Sequence, residues 1–130
     1  MTNPHIRIGL QIPSFTYPEV STADLFERIS DIAVTAEDSG FDSVFVMDHF
    51  YQLPGLGKPS ENMFEAYTLL TALAACTNTV RLGCMVGGMT YRNPALLAKT
   101  VTCLDVISKG RAIWGIGAGW FEKEHDEYGF

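Results

Sequence analysis

Asp48 and His49 stand side by side directly after the apolar run Ser43 to Met47. An imidazole next to a carboxylate, just past a buried strand, can give or take a proton near neutral pH. The pair could equally serve structure, with His49 capping strand backbone and Asp48 either orienting His49 or accepting from loop N–H groups. Further on, Gly115-Ile116-Gly117-Ala118-Gly119 invites a dinucleotide reading. Its spacing is GxGxG rather than GxGxxG, it follows a late strand, and no Rossmann-type helix clearly comes after it, which argues against that reading. Glycines at a strand end do let a flat ring lie close against backbone. Glu122, Glu124, His125, Asp126 and Glu127 could suggest a metal ion, but so dense a charge run reads better as a solvated helix start or loop. Met63, Met85 and Met89 read as core or pocket wall. Cys84 reads as an inert buried thiol that faces a barrel interior or a ligand.

The elements that must position these residues alternate regularly. A first strand is expected over Ile6 to Ile12, where Ile6, Ile8, Leu10 and Ile12 alternate with Arg7, Gly9 and Gln11. Ser21 and Asp24 resemble a capping box before a helix whose face carries Leu25, Ile29, Ile32, Ala33 and Ala36, closed by Gly40. The second strand, Ser43 to Met47, leads through Asp48-His49 into a glycine- and proline-bearing loop, Phe50 to Glu61, placed where an active-site loop would sit. Ala66, Leu70, Leu73 and Ala74 mark the second helix. A third strand spans Val80 to Val86 and ends at Gly87-Gly88. Asn93 as N-cap and Pro94 in the first turn open a third helix with Leu97, Val101 and Leu104 on one face, stopped by Gly110. The fourth strand is Ala112 to Gly117, running into Ala118-Gly119-Trp120.

The order βαβαβαβ, with strands starting near 6, 43, 80 and 112, means a parallel sheet with helical crossovers. It leaves two architectures, an open doubly wound sheet or part of an eight-stranded β/α barrel. A whole barrel takes roughly 250 residues. The 130 residues therefore predict about half of one, truncated after strand four.

Composition excludes several classes. Apolar residues at 47% and charged residues at 18% are those of a folded globular domain. A net charge of −6 argues against nucleic-acid or anionic-membrane partners. No apolar run approaches a membrane span, and MTNPHIR lacks a signal-peptide core. Three cysteines without a CxxC, Cys76, Cys84 and Cys103, read as reduced and mostly buried thiols of a cytoplasmic protein.

IRIGLQIP, GFDSVFVMDHF, EAYTLLTALAACTNTVRLG, YRNPALLAKTVTCLDVISKGR and GIGAGWFEKEHDEYG follow one another in register along essentially the whole chain. Together they resemble the luciferase-like monooxygenase superfamily, most nearly its coenzyme F420-dependent oxidoreductases. The resemblance implies a luciferase-like domain over residues 1–130, the N-terminal half of a TIM-type (β/α)8 barrel. It implies that His49 is catalytic, near the reactive face of a deazaflavin or flavin ring, with Asp48 as its neighbouring acid. It implies a cis peptide at Met85–Val86, forming a bulge that supports the ring, and a strand-four loop from Gly117 through Gly119 to Trp120 close to that ring. Asp48, Met85, Val86, Gly117 and Gly119 are thus the expected cofactor-binding positions, with no metal. The implied activity is hydride transfer between F420 and a small organic substrate, in a homodimer of the full-length form. The alternatives are an FMN-dependent monooxygenase of the same superfamily, or a non-catalytic fragment of either.

Overall fold

The computed structural model describes residues 6–130. The expectation about a leader falls mainly on residues 1–5, which lie outside the described residues. Four strands, β1 (Gly9–Ile12), β2 (Ser43–Val46), β3 (Arg81–Gly88) and β4 (Ala112–Gly117), pair in parallel and lie side by side in chain order. Three helices, α1 (Leu25–Asp38), α2 (Ala66–Cys76) and α3 (Pro94–Ile107), connect them, and a short α4 (Glu122–Tyr128) follows β4. A doubly wound sheet reverses its direction of growth at a switch point. Unbroken chain order is instead the wall of a β/α barrel.

Alternation along the middle strands sends Val44, Val46, Leu82 and Cys84 into one buried cluster. There they meet Ile29, Ala33 and Ala36 of α1, Leu69, Leu70 and Leu73 of α2, and Leu97, Val101 and Leu104 of α3. Phe45 points to the other face. Its ring occupies the room beside Gly9 and Gly83, where an added Cβ would come within 2.9 and 3.2 Å of it.

The expected elements form, with four differences. β1 begins at Gly9 rather than Ile6, and Ile6 and Ile8 are exposed because β1 is an edge strand whose start is covered by none of the described residues. The Ser21 hydroxyl donates to Asp24 at 2.6 Å and opens a 3-10 turn over Thr22–Asp24, not a capping box on α1 itself. β3 does not end at Gly87-Gly88 but runs through both, after a register shift between Cys84 and Gly87. Cys76 and Cys103 are exposed, so Cys84 alone of the three thiols is buried. Asn93 caps α3 as expected, accepting from Ala95 and Leu96 N–H with Pro94 in the first turn.

Two charged side chains lock the ends where the strands begin. Arg111 spends its five N–H donors on the carbonyls of Ser108, Val80, Ala74 and Thr77 and on the Thr77 hydroxyl, at 2.7 to 3.0 Å. The Glu37 carboxylate accepts from the N–H groups of Asn78, Thr79 and Val80. Burial pushes that carboxyl up, but these hydrogen bonds outweigh it and bring its pKa to about 2. The opposite edge, where the strands finish, holds the site.

Candidate active site

β2 delivers Asp48 and His49 at its carboxyl end, and the two part company there. Asp48 is 4% exposed and turns toward β3, accepting from Gly88 N–H at 2.9 Å. It also takes a bidentate pair from Arg92, at 2.7 and 2.8 Å. Arg92 reaches on to Glu65, the N-cap of α2, and its guanidinium carbon lies 4.8 Å from the centre of the Tyr67 ring. Burial disfavours the guanidinium cation, but the hydrogen bonds to Asp48 and Glu65 more than offset that and hold its pKa above the ordinary value. Asp48 therefore does not orient His49. Its backbone partner is the end of β3 rather than a loop N–H, and its charge is met by Arg92.

The acid that meets His49 is Glu124. His49 Nδ1 lies 3.0 Å from Glu124 Oε2, with 13% of the imidazole and none of the carboxylate exposed. The same oxygen accepts from the Tyr91 hydroxyl, while Oε1 accepts from the N–H groups of Phe50 at 2.6 Å and Tyr51 at 3.0 Å. Burial pushes the Glu124 carboxyl up; the bonds from Tyr91, Tyr51, His49 and Phe50 prevail and hold it below the ordinary carboxylate range. Burial and the Glu124 hydrogen bond push the Tyr91 phenol up, so it stays a neutral donor. His49 Nε2 has no hydrogen-bond partner among the described residues and is not sealed from solvent.

That imidazole borders a cavity of about 320 Å³ at the carboxyl ends of β2, β3 and β4. All six expected site positions, Asp48, His49, Met85, Val86, Gly117 and Gly119, line it. On the same cavity the peptide Met85–Val86 is cis, within the shifted stretch of β3, and the two residues are 45% and 51% exposed. Gly117 is held to glycine by this wall, since a Cβ there would come 2.6 Å from Val86 Cγ2. Gly119 has φ +80° and faces the Thr90 hydroxyl, so it too resists a side chain. Trp120, 69% exposed, sets its ring edge-on to His49 with centroids 6.0 Å apart. Among the described residues, no lysine or arginine lines the cavity. Its lining is largely apolar side chain and glycine backbone, with His49 as its one imidazole.

Cys84 lies behind the wall, its thiol pushed up by burial and placed 3.5 Å from the Val46 carbonyl, consistent with an inert role. The charged run after β4 is a helix, and its reading as wholly solvated fails at Glu124, which is fully buried. A sequence signal for this existed. Phe121, Glu124 and Tyr128 fall on one helical face, and the Tyr128 ring packs at a tilt against Phe50 with ring centres 4.8 Å apart. Arg92 and Tyr91 carried no comparable signal, because each acts through a residue more than 30 positions away.

The model of the family described as luciferase-like monooxygenase matches residues 6–130. A 5,10-methylenetetrahydromethanopterin reductase from Methanolobus tindarius is 37% identical over 101 residues, 78% of this chain and 28% of the relative. An F420-dependent glucose-6-phosphate dehydrogenase from Kineococcus radiotolerans is 39% identical over 93 residues, 71% of this chain and 27% of the relative. Among solved structures, the oxygenating constituent of 3,6-diketocamphane monooxygenase from Pseudomonas putida, a complex with FMN, superposes with a TM-score of 0.79 at 26% identity. That match covers 97% of this chain and 33% of the other. The chain thus spans less than a third of the length of these curated relatives.

Proposed function

The chain belongs to the luciferase-like monooxygenase family, and on that premise we propose that it forms the ring-binding and proton-transfer part of an F420-dependent oxidoreductase. What supports this is one cavity lined both by the His49 imidazole and by the apolar side chains of Met85 and Val86 with glycine backbone at Gly87, Gly88 and Gly117. Such a lining suits a planar ring: Met85 and Val86 present exposed apolar surface, and Gly117 has no side chain to hold a ring off. These residues and Gly119 would hold the ring, with Asp48 supporting the wall through Gly88 N–H and Arg92. Coenzyme F420, when bound, supplies or accepts a hydride. His49 Nε2 gives or takes the matching proton at the substrate, beside the Trp120 ring. A small organic substrate, a homodimeric assembly and a cytoplasmic setting belong to the same reading. No described helix is long and apolar enough to cross a membrane.

The second reading is an FMN-dependent monooxygenase, favoured by the likeness to the FMN-bound 3,6-diketocamphane monooxygenase component. The two separate on oxygen. With reduced F420 and an oxidised organic substrate under argon, the holoenzyme is expected to reoxidise the coenzyme without oxygen uptake. Turnover that needs reduced FMN and consumes one oxygen per product would replace the first reading by the second.

A further inference from the structure

We infer that Glu124 is a positioning residue for His49: its carboxylate selects the Nδ1–H form of the imidazole and leaves Nε2 as the nitrogen that faces the cavity's ligand. The second half of this rests on the proton-transfer reading above; the first half stands on geometry alone.

A carboxylate offers two oxygens, about four lone-pair sites and no donor. Glu124 meets four donors: Phe50 N–H and Tyr51 N–H on Oε1, the Tyr91 hydroxyl and His49 Nδ1 on Oε2. The side chain is wholly buried, so water does not compete for any of them. A protonated Glu124 would lose one of these bonds and force a donor against a donor. With the group ionised, Nδ1 must carry a proton, and in the neutral ring Nε2 is then the bare nitrogen. An ionised partner also favours the imidazolium that forms when Nε2 takes up a proton.

Glutamine at this position tests the point without changing shape. Its carbonyl can keep Phe50 and Tyr51 N–H. Its NH2 group then stands where Oε2 stood and donates to His49 Nδ1, which must become the acceptor, while the Tyr91 hydroxyl turns to accept the second amide hydrogen. The tautomer inverts. A Glu124 that merely pins α4 to the β2 loop would predict no such inversion.

The experiment is 15N-edited imidazole spectroscopy of the holoenzyme above the titration range of the ring. His49→Asn identifies the His49 signals among the three histidines, His5, His49 and His125. The parent is expected to show protonated Nδ1 and bare Nε2, and Glu124→Gln the reverse. Turnover in Glu124→Gln should fall roughly tenfold or more, as when a general base is held in the wrong tautomer, with little change in coenzyme affinity. Glu124→Asp should keep the parental tautomer. A parent spectrum with the proton on Nε2, or an unchanged tautomer in Glu124→Gln, overturns the inference. Should Glu124→Gln not fold, the parent spectrum decides by itself. If the tautomers invert but His49→Asn retains full turnover, the positioning stands and the proton-transfer reading falls.

Discussion

Exchanging His49 for alanine is expected to lower turnover of the holoenzyme by about 100- to 10,000-fold, the range for losing a general acid–base group. Alanine removes the one imidazole that borders the cavity and leaves the rest of the lining intact. That lining includes backbone at Gly87 and Gly117 and the Met85 and Val86 side chains, none of which is hydrogen-bonded to His49. Coenzyme affinity should therefore change far less than turnover. Steady-state rates at saturating substrate, with coenzyme titrated separately, distinguish the two quantities. A rate within about threefold of the parent would remove His49 from proton transfer.

Arg92→Met is expected to destabilise the fold by about 3–5 kcal/mol, the usual effect of taking one partner from a buried ion pair. Asp48, with 3% of its side chain exposed, would be left charged and unpaired, and Glu65 would lose the same cation. The end of β3 would loosen with them, because Asp48 also holds Gly88 N–H. The companion double change, Arg92→Met with Asp48→Asn, should recover part of the loss, since it removes the stranded charge instead of creating it. Urea unfolding with an unchanged m-value is the measurement. A loss below about 1 kcal/mol in the single variant would mean that Asp48 finds another partner or solvent.

Much of the fold was legible because its signals are local. The strand-then-helix alternation, the Asn93-Pro94 cap and the positions of β2 and β4 each depend on a few neighbouring residues, and each appears where the sequence puts it. The start of β1 did not follow, because alternation at Ile6 and Ile8 cannot say whether anything covers an edge strand. The six site positions gathered at one cavity because all of them sit at strand carboxyl ends, which the β/α order alone brings together. The electrostatics of the site were not legible. Sequence adjacency offered Asp48 as the partner of His49, yet successive residues leaving a strand point opposite ways. Asp48 goes to Arg92, and the imidazole is met by Glu124, 75 residues downstream. A glutamate in a charged run looks solvated until a helix turns one of its faces inward.

A seat for a planar ring beside His49, formed by the β3 bulge and the strand-four loop, should show itself in methyl spectroscopy of the protein during coenzyme titration. Ring currents act over a few ångströms, so the Met85 Cε and Val86 Cγ methyls should shift strongly with F420, and the Gly117 and Gly119 amides with them. The core methyls of Leu70 and Leu104 lie behind the sheet and should stay still. Saturable binding that leaves Met85 and Val86 unmoved, with shifts gathered elsewhere, would contradict the account.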